Sequence, residues 1–205
     1  MDSERPEHSW VLADEPIPVR LMATIWADTA GLHDDFAAPP DLDAWLDAVG
    51  ADRSGVAATH AEFLSARDLR DAVRRLAAHI TGDQRPAAAS AIASVQDAVR
   101  MVNAVAGKRS IPRLRLHDAV LELAADSPGS PVVACLAEIA GEAQHLLGEN
   151  GSRLRACQAP GCVLYFAKTH PRREWCSIAC GNRARAARHY QSVRSAQKIT
   201  RHLTG

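Results

Sequence analysis

The apolar residues of the first 150 positions recur mostly every three or four residues, which is the spacing of an α-helix that buries one face. Four such stretches occur, and each lies between residues that favour the beginning and the end of a helix. The predicted boundaries are Pro39 and Gly50, Thr59 and Gly82, Pro86 and Gly107, and Ser130 and Gly148. Because these apolar stripes are long enough to share a core, the pattern predicts a helical domain over residues 1–150.

Local patterns refine this prediction at three places. Thr59 and Glu62 have the spacing of a capping box, in which both side chains bind free backbone N–H groups of the first helical turn. Residues 111–124 alternate weakly between apolar and polar, which predicts a small β-hairpin. We expect residues 178–203 to form one long helix at the end of the chain. The predicted fold class is therefore mainly α.

Composition and the start of the chain indicate where the protein works. The longest uncharged stretches fall short of the roughly 20 apolar residues that a membrane span needs. The first ten residues are acidic and have no apolar segment behind a basic start, which does not fit a secretory signal. We therefore expect a cytoplasmic protein without membrane contact, in which cysteines remain thiols. Close cysteine pairs in such a protein indicate metal ligands rather than disulfides.

Two close pairs of cysteines lie near the end of the chain. Four residues separate Cys157 from Cys162, and three separate Cys176 from Cys180. This arrangement predicts one structural Zn²⁺ ion bound by four thiolates. A closed four-sulfur site leaves no coordination position for water or substrate, so we expect no catalysis at the metal and no enzyme.

The net charge of zero conceals two oppositely charged parts. Residues 1–152 carry a net charge of −10, whereas residues 153–205 carry +10. One explanation is a polyanionic partner for the basic part. The other explanation is that the two parts attract each other.

The positive charges of the basic part cluster on the predicted final helix and on the loop before it. A helix whose start is fixed by zinc, with Arg and Lys along its length, fits the major groove or the phosphate backbone of DNA. The predicted DNA-binding residues are Arg172, Arg173, Arg183, Arg185, Arg188, Arg194, Lys198 and Arg201. Duplex DNA is favoured over RNA because the helix offers only Tyr190 for stacking on bases. The alternatives are a module that binds an acidic protein and a solvated basic helix that lies on the N-terminal domain.

The helical domain offers few residues with evident chemistry. Arg67 and Arg70 on one predicted helix, and Asn103 among valines, are candidate contacts for a small-molecule effector. In the competing interpretation Arg67 pairs with Asp71 four residues on, the other arginines line a solvated face, and Asn103 is a buried polar anchor. The sequence does not indicate an oligomeric state.

The C-terminal segment also resembles a known family. Its motifs are Trp175-Cys176-Ser177 and Cys180-Gly181-Asn182-Arg183, followed by Arg185, Arg188, His189 and Tyr190. They resemble the CGNR zinc finger, which ends bacterial proteins whose N-terminal part is the ABATE domain. The N-terminal likeness rests on Leu42, Trp45 and Leu46, on residues 66–70, and on Leu146-Leu147. The resemblance implies a transcription regulator with an ABATE-like domain over 1–150 and a zinc finger over 151–205.

Overall fold

A computed structural model of the chain describes residue 12 and residues 14–126 and 129–203, with the backbone alone for 125, 126 and 196–203. This part consists of α-helices and two-stranded antiparallel sheets. The helices are α1 (Ile17–Met22), α2 (Pro39–Val49), α3 (His60–Thr81), α4 (Val95–Ala106), α5 (Pro131–Gly148) and α6 (Ile178–Leu203). The strand pairs are β1 (Ile25–Ala27) with β2 (Leu32–Asp34), β3 (Ile111–His117) with β4 (Val120–Asp126), and β5 (Leu154–Ala156) with β6 (Tyr165–Ala167).

Helix α3 is the centre of the helical part. It packs against α1, α2, α4 and α5, and it also contacts strand β5. The core around it contains Trp45, Leu69, Val73 and Leu136, each at most 2% exposed. Most of this core comes from helices that pack on α3, so the mainly α prediction is confirmed.

The predicted capping residues define the ends of α2 and α3. The Thr59 backbone N–H donates to Glu62 Oε2 (2.7 Å), and the Glu62 backbone N–H donates to Thr59 Oγ1 (3.3 Å). Gly50 and Gly82 follow α2 and α3 with φ of 76° and 65°, a left-handed conformation that glycine adopts without a steric cost. These local signals were sufficient to predict both helices.

The predicted third helix begins later than expected. Pro86 starts only a short 3₁₀ turn, and α4 begins at Val95, where the Ser94 hydroxyl accepts from the Asp97 N–H (3.2 Å). The intervening segment bonds to α3 instead, because the Ser90 hydroxyl donates to the Asp71 carbonyl (2.7 Å). Contacts with a distant helix therefore replace the first turns that the sequence predicted.

The remaining elements comprise one confirmed hairpin, the final helix and several short pieces that the sequence did not indicate. The β3–β4 pair confirms the predicted hairpin, and α6 confirms the long final helix. Helix α1, which has six residues, was not predicted. The pairs β1–β2 and β5–β6 were not predicted either, since their strands have only three residues each. Within the described residues, no helix combines the length and the apolarity needed to cross a membrane.

Candidate zinc centre and basic helix

The four predicted cysteines converge from the β5–β6 hairpin and from the start of α6. Cys157 directly follows β5, Cys162 lies in the turn before β6, Cys176 precedes α6, and Cys180 lies in its first turn. Their sulfur atoms all lie within 4.8 Å of one another, and all four residues are buried. The hairpin thus supplies one pair of ligands and the helix start supplies the other.

Local geometry explains how each pair comes to face the same point. The turn between the first two cysteines contains Gly161 at φ +74°, and the Cys162 N–H donates to the Ala159 carbonyl (3.0 Å). In the second pair, Ser177 begins α6, because its hydroxyl accepts from the Cys180 N–H (3.2 Å). Cys176 and Cys180 are consequently one helical turn apart on the same side, as the spacing predicted.

The sulfur positions fit a tetrahedral zinc ion. A Zn–S distance of about 2.3 Å places the corners of a tetrahedron roughly 3.8 Å apart. Cys162 Sγ lies 3.8 Å from Cys176 Sγ, and Cys176 Sγ lies 3.4 Å from Cys180 Sγ. The four cysteines therefore form one closed structural zinc site, as the sequence predicted.

The crowding of the sulfurs explains why the site requires a cation. Hydrogen bonding with Cys162 lowers the pKa of the Cys157 thiol to about 6, whereas the neighbouring Cys157 sulfur raises the pKa of Cys176 above its ordinary value. Four thiolates at this spacing repel one another unless a cation neutralises them. Zinc supplies that charge when bound, and the chain supplies the four ligands and their enclosure.

Two residues that the sequence analysis did not identify support the ligand loop from the helical part. Arg85 donates through Nη1 to the carbonyls of Cys157 (2.7 Å) and Cys162 (2.6 Å). Asp83 fixes the same guanidinium through two hydrogen bonds, and these bonds lower the pKa of the Asp83 carboxyl. Both lie more than 70 positions before the cysteines, so no motif spacing could have connected them with the zinc site.

Arg173, one of the predicted DNA-binding residues, has a structural role instead. Its guanidinium donates to the carbonyls of Ala167 (3.1 Å) and Cys176 (2.9 Å), forms an ion pair with Glu15, and lies 5.0 Å from the centre of the Phe166 ring. Glu15 is buried, and this burial raises the pKa of its carboxyl. Arg173 is therefore the partner of a buried acid and fixes the loop before α6.

Arg183 is exposed and also contacts the zinc site, and its DNA-binding role stays a prediction. Its Nη2 donates to Cys180 Sγ (3.0 Å), so its guanidinium faces a zinc ligand. Ala184 is buried and Ala187 is half-buried, so one side of α6 near its start is not accessible to a partner. The Trp175 ring packs against the start of α6 at Gly181. A Cβ atom at this position would lie 3.1 Å from Trp175 Cδ1, so glycine leaves room for the ring.

The other predicted cations lie on the surface. Arg172, Arg185, Arg188 and Arg194 are exposed. An open cleft of about 390 Å³ lies between the loop and the start of α6, with Arg172 and Arg185 in its lining. Lys198 and Arg201 belong to α6, but their side chains lie outside the described part of the chain. A basic surface therefore extends from the loop along at least the first half of α6.

The arginines of α3 correct the competing interpretation, in which Arg67 pairs with Asp71 and the other arginines line a solvated face. Arg70 is 1% exposed and donates to Asp34 (2.5 and 3.0 Å), Asp71 (3.1 Å) and Thr24 (3.3 Å), so all its nitrogens are engaged. Asp71 thus pairs with Arg70, while Arg67 lies 3.5 Å from Asp34. Arg70 and its buried neighbour on α3, Arg74, do not line a solvated face.

Asn103 is exposed, so the buried-anchor interpretation is wrong. Its Oδ1 accepts from Gln144 Nε2 (2.9 Å). It lines an open, mostly apolar groove of about 510 Å³ between α3, α4 and α5. The effector role of Arg67, Arg70 and Asn103 stays a prediction.

Comparison with known families follows the same division of the chain. A model named ABATE, described as a putative stress-induced transcription regulator, matches residues 15–150. A model of the CGNR zinc finger matches residues 153–192. Neither description names an enzymatic activity, and a comparison with curated proteins found no match. The family and the order of its two parts are those that the sequence motifs predicted.

Proposed function

The chain belongs to the ABATE family and ends in a CGNR zinc finger, and we propose that it is a transcription regulator that binds duplex DNA through this finger. The observation that carries the proposal is a helix that begins at the zinc site and carries exposed arginines and no acid along its length. Arg185, Arg188 and Arg194 are exposed on α6, and no Asp or Glu occurs after Glu174. An uninterrupted positive surface of this kind attracts a polyanion.

The dimensions of α6 suit a DNA groove. Its 26 residues span about 39 Å at 1.5 Å per residue, slightly more than one turn of B-DNA. Its first turns are fixed by the zinc ligands, while residues 188–195 are exposed on every side. The major groove admits an α-helix, so the free part of α6 can enter the groove while the finger positions it.

The cleft at the start of α6 fits a backbone phosphate. Arg172 and Arg185 both line it, together with the exposed Glu174, and it lies at the start of α6, the end of a helix that favours an anion. Phosphate contacts at such a point would fix the position of the protein on the duplex. We assign Arg172 and Arg185 to this contact, and Arg188, Arg194, Lys198 and Arg201 to the groove and its phosphates.

The positive surface is not neutralised by the acidic domain. Among the described residues, Glu15 and Arg173 form the one ion pair between residues 14–150 and the finger. The exposed arginines of α6 therefore remain available to an external partner. This argues against the alternative in which the basic helix lies on the N-terminal domain.

The proposal has two further parts. The thiolate ligands require a reducing compartment such as the cytoplasm. The apolar groove beside Asn103 is the place that we propose for a small-molecule effector, since it combines an apolar lining with the Asn103 and Gln144 amides.

Selection from a random DNA pool by the zinc-loaded, full-length protein tests the proposed function. We expect enrichment of a defined sequence, and we expect Arg188→Glu to abolish it. Arg100→Glu is the matched control, because Arg100 is exposed on α4 and the same change of charge there lies outside the finger. Tight binding of an RNA pool or of an acidic protein, with no retention of duplex DNA, would reject the proposal in favour of an RNA-binding or protein-binding module.

A further inference from the structure

The β3–β4 hairpin presents an apolar face that nothing in the described part of the chain covers. Leu114 is paired with Leu123 and Leu116 with Leu121, and cross-strand partners in an antiparallel pair lie on the same face. These four leucines are 64–72% exposed. The strands make their extensive contacts with each other, and no other described element packs extensively on them.

The opposite face of the hairpin is polar in its middle and has one apolar residue near each end. It carries Arg113, Arg115, His117 and Glu122, with Ile111 and Val120 at the ends, because side chains alternate between the two faces of a strand. Arg115 lies directly opposite Glu122 in the register. The hairpin is thus amphipathic, a pattern that evolves when one face of a sheet packs on something and the other faces water. A two-stranded hairpin alone is marginally stable in water, so packing on the leucine face would also stabilise the hairpin itself.

The size of the face fits a contact between two copies of the chain. Burying one leucine removes on the order of 100 Å² of apolar surface from water, so four leucines and the adjacent Pro112 provide roughly 400–500 Å² per copy. Two copies together would bury roughly 800–1,000 Å², which is the size of a weak, reversible interface. An exposed apolar patch of this size equals the largest patch of a typical monomer, and such patches often mark an interaction site.

The chemistry of the face favours a second copy over a different protein. The cross-strand pairs Leu114–Leu123 and Leu116–Leu121 contain no charge and no hydrogen-bonding side chain that would select a partner of another composition. A flat leucine surface is complementary to itself, which is what a two-fold interface requires. We propose that the chain forms a homodimer in which the leucine faces of two β3–β4 hairpins pack on each other.

In this arrangement the two hairpins form a small sandwich. The sheets would lie about 10 Å apart, with eight leucines between them and both polar faces in solvent. Because the interface is small, the dissociation constant is expected in the micromolar range. The proposal does not depend on the DNA-binding function, since it uses neither the zinc site nor α6.

Sedimentation equilibrium of the zinc-loaded, full-length protein from about 1 to 100 µM tests the dimer. We expect the wild type to change from monomer to dimer across this range. Leu123→Glu is expected to weaken the dimer at least about a hundredfold, because the two-fold axis brings two carboxylates into the apolar contact. Ala124→Glu is the matched control: it adds the same charge one residue along, on the polar face and opposite Arg113, and it should leave the dimer unchanged.

Both glutamate variants are expected to keep the wild-type circular dichroism and thermal midpoint, because Leu123 is 72% exposed and the half-buried Ala124 lies opposite the exposed Arg113, which can pair with the new carboxylate. If Leu123→Glu fails to fold, Leu116→Lys, at 71% exposure, provides the same test. A wild type that stays monomeric to 100 µM overturns the proposal and leaves a different protein as the occupant of the face. A dimer that persists in the folded leucine variants, or that Ala124→Glu disrupts equally, overturns it as well.

Discussion

At the residue scale, two arginines two positions apart on α6 have different roles. Arg183 donates to Cys180 Sγ (3.0 Å), whereas Arg185 is exposed, bonds locally to Asn182 and lines the open cleft. A donor to a thiolate ligand stabilises the negative charge of the zinc–thiolate centre, and an exposed cation beside a cleft is free to bind phosphate. Substitutions at the two positions are therefore expected to separate zinc binding from the proposed DNA binding.

We expect Arg183→Ala to weaken zinc binding by about 10- to 100-fold, since outer-sphere partners of metal ligands have effects of this size. Arg185→Ala should retain wild-type zinc affinity and should lose affinity for duplex DNA. Competition with a chromogenic chelator measures the first effect, and titration of a labelled duplex measures the second. Equal zinc affinities for the two variants would contradict the role of Arg183.

Substitution of one cysteine distinguishes the zinc ligands from the fifth thiol. Cys176→Ser should lose the bound zinc, because three thiolates do not close the site. Cys135→Ser should keep one zinc per chain, because Cys135 lies apart in α5, where its Sγ donates to the Asp52 carbonyl (3.3 Å) and burial raises the pKa of its thiol. Metal analysis of the purified Cys176→Ser and Cys135→Ser proteins measures the zinc content of each. Full occupancy in Cys176→Ser would contradict the four-cysteine site.

The cysteine ligands could be predicted from the sequence because each pair is local, and thiols in close pairs in a reducing compartment are typical ligands of structural zinc. The role of Arg173 could not be predicted. Its partner Glu15 lies 158 positions away, and a basic residue beside a basic helix looks the same in sequence whether it contacts DNA or a buried acid. The burial of Arg70 and Arg74 could not be predicted either, since it depends on contacts with Asp34 of β2 and with Met22 of α1.

At the element scale, the free part of α6 provides the test of electrostatic binding. Arg194 is exposed, and Lys198 and Arg201 follow it one and two turns later on the same helix. Each replacement by Ala should weaken binding about equally on all DNA sequences and should reduce the slope of log affinity against log salt by about one. Gln191→Ala, an uncharged change on the same segment, should leave the slope unchanged. Slopes that stay constant in all the arginine and lysine variants would show that this half of the helix does not contact phosphates.

Helix boundaries show where local sequence signals suffice. The capping box at Thr59 and the glycines at 50 and 82 act within one turn, so the ends of α2 and α3 followed from the sequence. The start of α4 did not follow, because residues 89–94 bond to α3, including Arg75 Nε to the Ala93 carbonyl (2.8 Å). The β5–β6 hairpin, which positions Cys157 and Cys162, could not be predicted. Strands of three residues are too short to show an alternation of apolar and polar positions.

At the scale of the whole molecule, the finger and the helices share a core. Leu154 and Tyr165 of the β5–β6 hairpin are buried among the side chains of the helical part, and burial raises the pKa of Tyr165 to about 12. The Tyr165 hydroxyl also bonds to Asp83 (3.2 Å), whose partner Arg85 binds the ligand loop. We therefore expect zinc removal to lower the thermal midpoint of the helical part too. The division at residue 150 stays a prediction that this experiment addresses.

Arg85→Ala tests the connection between the helical part and the loop that carries the zinc ligands Cys157 and Cys162. Losing charged donors to two carbonyls should lower the free energy of unfolding by about 2–4 kcal/mol, and zinc should be released at a lower chelator concentration. Arg100→Ala, which removes an exposed i,i+3 ion pair with Asp97, should change stability by less than about 0.5 kcal/mol. Chemical denaturation of the two zinc-loaded variants provides the comparison. Equal stabilities would mean that the helical part does not support the zinc loop.

The most direct test of the central claim is the salt dependence of duplex DNA binding by the zinc-loaded, full-length protein, measured by fluorescence anisotropy between about 50 and 300 mM salt. Six cations are assigned to DNA: Arg172, Arg185, Arg188, Arg194, Lys198 and Arg201. If most of them contact phosphates, log affinity should fall with log salt at a slope of about −4 to −5, and removal of zinc should abolish binding. A slope near zero, or the same affinity with and without zinc, would contradict a zinc-dependent DNA-binding function.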